Sequence, residues 1–481
     1  MKLKLMCAIL ALSASNLFAQ KQPNVIFIAV DDLNDWVGCM GGNPQVITPN
    51  IDKFAESALI MNKAYAPSTV CCPSRTALLT GKHATYTGVY GNSQDLRNAP
   101  KAANLVTLPE YFGKHGYYTL STGKIFHEHG QDNSKYYTER VETSGKAGKL
   151  WSEQPQVEGI KSGGTDFAWG ATTAKVDETK DYLAAKWAAD QLKRDFDKPF
   201  FIALGISKPH LPWFVPQEFF DMYPLDKLVP VEIFRDDLDD IVRADGKKIF
   251  SADNRFLLAD KTNKHKNAQQ AYLACVSYVD YCLGLLFDEL AKSKYADNTI
   301  VMIWGDHGWH LSEKLKYGKT DLWEESCRVP FIVKVPEVTK GGKTDGVVNL
   351  IDMYPTLVEL CGLPANKEID GRSFARLLAN PKMEWNEPTL STYQYMNHSL
   401  TDGRYRYTWY GGKADGAEEL YDHVSDPLEH NNLASNPKYK EVIERMKKYL
   451  PTHHEPDSPR TKGGEKSDAE GKQGKKPKGE N

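Results

Sequence analysis

The protein has 481 residues, of which 41% are hydrophobic and 26% are charged. This is the composition of a folded globular chain, and the length allows one large domain with a smaller one. The formal net charge of -3 at pH 7 creates no strong field, so nothing favours nucleic acid as a partner. Any preference for an anionic ligand must therefore be local.

The first 19 residues have the pattern of a secretory signal peptide. Lys2 and Lys4 precede the apolar run from Leu5 to Leu12, and small residues lead to Ala19. This run is too short to cross a bilayer, and no other uninterrupted apolar segment of membrane length follows. We expect a periplasmic or secreted protein without a membrane span, a buried N-terminal helix being the alternative.

The cysteines do not form the pattern of a disulfide framework. Export would permit disulfides, but of the eight cysteines Cys7 lies in the signal segment, and Cys71 and Cys72 are adjacent. Without Cys7 an odd number remains. One cysteine is therefore expected to remain outside any disulfide, and Cys71 is the candidate.

Four apolar runs of strand length end in polar residues, and helical patterns lie between them. Helices are expected from Thr48, with an apolar stripe reaching Ala58 and Leu59, and from Ala271 to Leu290. The four runs are Asn24 to Val30, Tyr117 to Ser121, Phe200 to Ile206, and Thr299 to Trp304. Alternating strands and helices predict an α/β fold with a sheet covered by helices on both faces.

The polar residues after these runs predict a site. They are Asp31 and Asp32, Lys124 and His127, Lys208 and His210, and Asp306 and His307. Ligands bind beyond the carboxyl ends of strands in open α/β sheets, so these groups are expected to meet along one edge. One such strand end could be only a turn or a helix cap, but four make that explanation weak.

The pattern changes near residues 364–371, after which short strands are expected at Arg404 to Tyr410 and Glu419 to Tyr421. The residues beyond His454 are polar and rich in Gly and Lys, which predicts a disordered tail. The expected organisation is a signal peptide at 1–19, a catalytic α/β domain at 23–370, an α+β subdomain at 371–454 and the tail at 455–481.

Cys71 lies at a predicted helix start, where free amides, the helix dipole and Arg75 one turn on favour an anion. By itself Cys71 reads as a reactive thiol, or as half of a redox or strained disulfide with Cys72. Neither interpretation explains Asp31, Asp32, Asp306 and His307. The hard carboxylate oxygens of the three aspartates suit calcium better than zinc.

Cys71, Pro73, Ser74 and Arg75 match the motif Cys-x-Pro-Ser-Arg, and Leu79-Thr80-Gly81 follows. On these residues the chain resembles the sulfatase family, from Asn24 to about Asn432. It is most similar to the subgroup of iduronate-2-sulfatases, through four further motifs in the same order. These are Asp31 to Trp36, Gly123 to His127, Lys208 to His210, and Gly305 to Trp309.

The resemblance implies an alkaline-phosphatase-like fold and a formylglycine made from Cys71 by a formylglycine-generating or sulfatase-maturating enzyme. It also implies a Ca²⁺ site built from Asp31, Asp32, Asp306 and the modified Cys71. His307 stands where many members have Asn and matches the iduronate subgroup. The catalytic set that the resemblance implies is Cys71, Arg75, Lys124, His127, His210 and Lys319.

Within that set, Lys319 is implied to bind sulfate and His210 to be the general acid, which typically adds ~10² to 10⁴ in rate. His127 would then take a proton from the second hydroxyl of the formylglycine hydrate, although the sequence allows the two histidines to exchange roles. Lys208 is either a further sulfate contact or a surface lysine. Contacts to the sugar are expected from Tyr393, His398 and Arg404.

The expected function is hydrolysis of an O-sulfate ester on a uronate-containing polysaccharide or its oligosaccharides, either a glycosaminoglycan or an algal glycan such as ulvan. Relatives with the same motif hydrolyse phosphate or phosphonate esters, which is the first alternative. Because the fold alone does not identify a function, a non-catalytic glycan-binding protein is the second.

Overall fold

The computed structural model describes residues 22–127, 134–146, 148, 167–243, 245–385, 387–412 and 416–461. The signal peptide expected at 1–19 and the tail beyond 461 lie outside these residues. The strands are β1 (Asn24–Val30), β2 (Leu59–Met61), β3 (Ala64–Tyr65), β4 (Tyr118–Gly123), β5 (Glu139–Val141), β6 (Trp169–Thr172), β7 (Phe200–Ile206), β8 (Trp213–Pro216), β9 (Thr299–Gly305), β10 (His310–Leu311), β11 (Tyr317–Gly318), β12 (Phe331–Lys334), β13 (Lys343–Thr344), β14 (Val348–Asn349), β15 (Thr389–Thr392), β16 (Asn397–Thr401), β17 (Tyr405–Tyr410) and β18 (Ala417–Asp422). The helices are Pro49–Ala55, Cys71–Thr80, Ala84–Thr87, Leu108–Lys114, Lys180–Gln191, Gln217–Asp221, Asn254–Lys261, His265–Lys292, Glu324–Cys327, Met353–Leu360, Ala375–Ala379 and Lys440–Lys447.

The main sheet has eight strands in the order β13–β2–β12–β9–β1–β7–β4–β5. Strands β9, β1, β7, β4 and β5 run parallel, whereas β12 is antiparallel to both of its neighbours. Successive residues of β1 alternate between two hydrophobic cores: Ile26 and Ile28 face one, and Val25 and Phe27 face the other. Because both faces are covered, β1 is a continuous apolar run, as expected.

The predicted α/β architecture is confirmed, and the end of its first helix needs a correction. Strands β1 and β7 have the predicted bounds, and helix His265–Lys292 contains the segment predicted to be helical. The first predicted helix instead ends at Ala55, and Leu59 begins β2, because Leu59 and Ile60 pair with β12 in the sheet.

The helix His265–Lys292 has the length and apolar character of a membrane span, but 78% of its most apolar window is buried inside the fold. Its residues Tyr272, Val276 and Leu283 are part of the first core. Burial on this scale is typical of a core helix that is apolar on most of its circumference.

The C-terminal subdomain is a four-stranded antiparallel sheet, β15–β16–β17–β18, covered by the helix Lys440–Lys447. Leu400, Tyr407, Leu420 and Met446 form its small core. The helix Ala375–Ala379 instead contributes Leu377 and Leu378 to the core of the larger unit. The larger unit therefore continues past residue 370.

The expectation of a disordered tail from residue 455 is wrong for residues 455–461. The backbone N–H groups of Glu455, Ser458 and Thr461 donate to carbonyls of the segment 85–93, each over 2.8 Å. Backbone hydrogen bonds order this polar segment without apolar burial, so its composition gave no indication of order.

Candidate active site

The strand ends that carry chemistry lie side by side. Strands β9, β1, β7 and β4 are consecutive neighbours in the sheet, and all four run in the same direction. Their carboxyl ends bring the segments beginning at Asp306, Asp31, Ser207 and Lys124 to one edge. The expectation that these distant segments meet at one edge is confirmed.

Cys71 is the first residue of the helix Cys71–Thr80 and is buried at this edge. Lys319 Nζ lies 3.0 Å from its Sγ, and His307 Nε2 lies 3.2 Å from it. Burial raises the pKa of the Cys71 thiol, although the charges of Lys124 and Lys319 oppose this shift. The thiol is therefore protonated at neutral pH, which does not support the reading as a reactive thiol.

The neighbouring Cys72 is also buried, and neither cysteine is in a disulfide, so the structure contradicts a disulfide between the two. Its Sγ donates to the carbonyl of Gln94 over 3.2 Å. Its backbone N–H donates to Asn92 Oδ1 over 3.0 Å. Cys72 thus anchors the loop that contains Asn92 and Gln94.

Arg75 is completely buried, and its guanidinium donates hydrogen bonds to other groups of the protein. Its Nε donates to Asp306 Oδ2 over 2.8 Å and its Nη2 donates to Asp31 Oδ1 over 3.0 Å. Its Nη1 donates to the carbonyls of Lys124 and Ile125. The Arg75 donors therefore hold two carboxylates and the backbone after β4, and a direct contact between Arg75 and a bound anion stays a prediction.

Asp31 is buried between two cations. Lys124 Nζ lies 2.6 Å from its Oδ2, and Arg75 holds its Oδ1. Burial alone would raise the pKa of Asp31, but the charges of Lys124 and Arg75 hold it well below its ordinary value. The carboxylate is therefore ionised. The Lys124 side chain is 21% exposed.

Asp32 has a left-handed backbone, with φ of 62°, which a non-glycine residue rarely adopts. Its N–H donates to Asp306 Oδ1 over 3.1 Å, and Tyr272 Oη donates to its carbonyl over 2.8 Å. Lys319 Nζ donates to Asp32 Oδ1 over 2.6 Å. This strained backbone directs the Asp32 carboxylate toward Cys71.

The buried Oδ2 atom of Asp32 accepts no hydrogen bond from the described residues. Asp32, Cys71 and His307 place one potential ligand atom each within 4.8 Å of one another, as do Asp31, Cys71 and Asp306. A buried carboxylate oxygen without a donor, among other carboxylates, fits a divalent cation. The residues present therefore fit the expected metal.

The contacts of His307 leave one of its ring nitrogens available to a metal ion. Its Nδ1 lies 3.0 Å from the carbonyl of Gly308, which can only accept, so Nδ1 carries the proton. Its Nε2 lone pair then faces Cys71 Sγ and Asp32 Oδ1, the latter at 3.4 Å. Burial lowers the pKa of His307, although Asp306 opposes this, so the ring is neutral.

Residues 23–363 match the family model described as Sulfatase, which is more than half of the chain. The chain belongs to the sulfatase family. Residues 305–455 also match the C-terminal region of N-sulphoglucosamine sulphohydrolase, which covers the observed subdomain. The protein is thus a sulfuric ester hydrolase.

Three relatives cover most of this sulfatase. A sulfatase of Formosa agariphila is 37% identical, over 89% of this chain and 86% of its own length. The iduronate 2-sulfatase of Homo sapiens is 28% identical, over 85% of this chain and 90% of its own length. The ulvan-active sulfatase of Formosa agariphila is 28% identical, over 87% and 78%. Similarity to the iduronate subgroup is confirmed.

Solved structures share the fold. A structure described as a 2-O GAG sulfatase superposes with a TM-score of 0.67 at 24% identity, over 89% of this chain and 91% of its own. The phosphonate monoester hydrolase of Agrobacterium radiobacter superposes with a TM-score of 0.69 at 17% identity, over 89% of this chain and 94% of its own. These likenesses support the alkaline-phosphatase-like fold and do not separate sulfate from phosphonate esters.

The sulfatase positions His210 at the open side of the site. Its Nδ1 lies 2.6 Å from the carbonyl of Leu211, so Nδ1 donates and Nε2 is left facing Asp32 Oδ2 at 3.9 Å. The side chain is 30% exposed. Lys208 does not face the site with it, because Lys208 Nζ donates to the carbonyls of His210 and Pro212 and so holds the loop.

Asp181, which the sequence did not single out, fixes the start of this loop. Its two carboxylate oxygens accept from the backbone N–H groups of Ser207 and Lys208, both over 2.9 Å. Burial raises the pKa of Asp181, although these hydrogen bonds oppose the shift. Asp181 lies on a helix far from the loop in sequence, so no local motif could reveal its role.

His127 is half-buried at the same strand end, three residues beyond Lys124. The backbone that leads to it is held at Lys124 and Ile125 by Arg75. His127 therefore extends from a fixed part of the site.

The expected sugar contact is wrong for His398, and that of Arg404 stays a prediction. His398 is fully buried, with Nδ1 on the Thr392 hydroxyl and Nε2 on His454. Arg404 is exposed and pairs with Asp422. Tyr393 accepts from its neighbour Gln394 and stays an expectation.

Proposed function

We propose that this sulfatase hydrolyses an O-sulfate ester on a uronate-containing glycan, with a formylglycine made from Cys71 as its nucleophile. The observation that carries the proposal is the position of Cys71 at a helix start, with Lys319 and His307 at its Sγ. The named activities of the relatives favour a glycosaminoglycan or an ulvan-type substrate.

Maturation of the protein is part of the proposal. Formylglycine supplies the nucleophilic oxygen that a buried, protonated thiol does not. Its formation requires a formylglycine-generating or sulfatase-maturating enzyme as a partner. Export through residues 1–19 belongs to the same proposal, and the mature protein would begin at Gln20.

Asp31, Asp32, Asp306 and His307 would hold a calcium ion beside residue 71. A bound calcium ion supplies a Lewis acid that stabilises negative charge on the sulfate oxygens. Arg75 acts as a positioning residue, since it holds Asp31 and Asp306 rather than the substrate. Each carboxylate is thus fixed before substrate arrives.

Lys124 and Lys319 would contact the sulfate group. The Lys319 ammonium is buried at Cys71 Sγ, and the Lys124 ammonium lies beside Asp31 at the open side. Burial would lower the pKa of Lys124, but the charge of Asp31 raises it above its ordinary value. Lys124 therefore stays protonated at neutral pH, and the two ammonium groups would stabilise the negative charge that develops on the sulfate oxygens.

His210 would donate a proton to the leaving sugar oxygen, and His127 would accept a proton during regeneration of residue 71. The exposed Nε2 of His210 faces the cluster and is the nitrogen available for proton transfer. A sugar alkoxide is a poor leaving group, so the acid is essential for a glycan sulfate.

The His210 assignment predicts a dependence on the leaving group. In His210→Ala, hydrolysis of a sugar sulfate is expected to slow by ~10² to 10⁴. An aryl sulfate with an acidic phenol is expected to slow far less, because its leaving group needs no proton. His127→Ala should slow both substrates alike. The reverse pattern, measured as kcat/KM, would exchange the two assignments.

The test of the function is sulfate release from defined sulfated oligosaccharides, measured by ion chromatography with metal-free enzyme and after addition of Ca²⁺. Release from uronate-containing oligosaccharides is expected, and only when Ca²⁺ is present. Phosphate and phosphonate esters of matched alcohols are assayed in parallel. Faster turnover of those esters would support the first alternative, and glycan binding without release would support the second.

A further inference from the structure

Tyr272 contacts the backbone that carries Asp32 and is not among the residues assigned to the reaction. It lies on the helix His265–Lys292 and is completely buried. Its hydroxyl accepts from the backbone N–H of Asn34 over 2.8 Å and donates to the carbonyl of Asp32 over 2.8 Å. The side chain of a distant helix therefore bridges residues 32 and 34, directly after the end of β1.

These two hydrogen bonds act on the strained part of the site. Asp32 has a left-handed backbone with φ of 62°, and both Asp32 and Asn34 are buried, so bulk water does not reach their backbone groups. Among the described residues, the Asp32 carbonyl and the Asn34 N–H have no other hydrogen-bond partner. Tyr272 therefore helps to hold the left-handed conformation of Asp32.

The ring of Tyr272 is itself held by two tryptophans. It meets the ring of Trp36 edge-on, with centroids 5.7 Å apart and an interplanar angle of 88°. It meets the ring of Trp213 in the same way, at 5.7 Å and 81°. Trp36 follows Asp32 in the chain and Trp213 follows His210, so both rings belong to segments that carry site residues. Edge-to-face packing has a preferred geometry, and here it fixes the position of the hydroxyl.

The hydroxyl of Tyr272 keeps its proton at neutral pH. Burial raises the pKa of Tyr272 well above its ordinary value, although the hydrogen bond from the Asn34 N–H opposes this shift. The neutral hydroxyl has one proton to donate, and the Asp32 carbonyl receives it. Phenylalanine at this position would keep the ring and leave a buried N–H and a buried carbonyl without a partner.

We propose that Tyr272 is a positioning residue for the cation site, because it holds the backbone from which the Asp32 carboxylate reaches the bound ion. The Oδ2 atom of that carboxylate accepts no hydrogen bond from the described residues and is the atom left for Ca²⁺. The inference rests on the calcium site proposed above. Loss of a group that orients a metal ligand typically weakens metal binding by about 10- to 100-fold, and this is the effect expected in Tyr272→Phe.

A buried tyrosine hydroxyl can also be only a satisfied group of the core, and Tyr223 supplies the comparison. Tyr223 is buried as well, and its hydroxyl accepts from the backbone N–H of Ile47 over 2.9 Å and contacts the hydroxyl of Ser277. Neither partner is assigned to the site. Tyr223→Phe thus removes the same atom and two hydrogen bonds, as Tyr272→Phe does, without touching the backbone of Asp32.

The test measures Ca²⁺ binding and does not use sulfate release. Metal-free wild type, Tyr272→Phe and Tyr223→Phe are titrated with Ca²⁺ against a chromophoric chelator, and the melting temperature of each is measured with and without Ca²⁺. Without Ca²⁺ both variants are expected to melt below wild type, since each loses two buried hydrogen bonds. Only Tyr272→Phe is expected to bind Ca²⁺ more weakly and to gain less thermal stability from it.

Two results would overturn the inference. Unchanged Ca²⁺ affinity in Tyr272→Phe would show that Asp32 is held without the hydroxyl. An equal loss of affinity in Tyr272→Phe and Tyr223→Phe would show that the effect comes from a general loosening of the fold. Wild type that binds no Ca²⁺ would contradict the calcium site itself and this inference with it, so failure of the proposed function is distinguishable from failure of the Tyr272 assignment alone.

Discussion

Sulfate release is expected to fall by ~10⁴ or more in Cys71→Ala, and by less than about tenfold in Cys72→Ala. Residue 71 would supply the attacking oxygen, and no neighbouring group replaces it. Cys72 points into the protein, where its Sγ donates to the carbonyl of Gln94. The measurement is kcat/KM on the best oligosaccharide from the panel.

The adjacent cysteines make this comparison stringent. Both are buried in the first turn of the same helix, so each variant leaves a cavity of the same size there. Mass spectrometry of the tryptic peptide ending at Arg75 supplies the control, because formylglycine is lighter than cysteine by about 18 Da. Activity retained in Cys71→Ala, or a peptide mass showing no conversion in active protein, would contradict the nucleophile assignment.

The sequence predicted the location of the site because strand ends are local features. An apolar run followed by Asp31 and Asp32, or by Asp306 and His307, is visible in a short window. The rule that parallel strands present their carboxyl ends at one edge then joins these windows. The observed order β9–β1–β7–β4 makes all four ends neighbours, which is stronger than the rule requires.

The roles of individual side chains were less predictable, because they depend on how deeply each side chain is buried in the fold. Arg75 and Lys124 are both basic residues near a strand or helix end, yet Arg75 is buried against Asp31 and Asp306 while Lys124 reaches the open side. Sequence spacing carries no information on this difference. The same limit explains His398, whose place on a strand of the subdomain did not reveal that it faces inward.

Contacts between distant polar residues were missed for a different reason. Asp181 holds the backbone of Ser207 and Lys208, and Gln94 joins the loop behind Cys72 to the carbonyl of Ser458. Each is a single side chain satisfying backbone groups of another segment, which leaves no periodic pattern. Such residues can be found only once the chain is folded.

Replacing Arg75 with methionine is expected to lower the free energy of unfolding by about 3–5 kcal/mol and to abolish calcium-dependent activity. Methionine fills a similar volume but leaves Asp31 and Asp306 as buried carboxylates without their shared cation. The carbonyls of Lys124 and Ile125 lose their donor as well. Unfolding in denaturant, followed by tryptophan fluorescence, measures the change.

Arg404→Met is the matched control, because Arg404 also pairs with a carboxylate but is 56% exposed. Water screens that pair, so its loss should change the free energy of unfolding far less. The stability of Arg75→Lys should lie between those of Arg75→Met and Arg404→Met. Lysine keeps the charge but loses the guanidinium geometry that reaches both carboxylates at once. Equal stability of Arg75→Met and Arg404→Met would show that the buried carboxylates are neutralised by protonation, and that Arg75 does not organise the cation site.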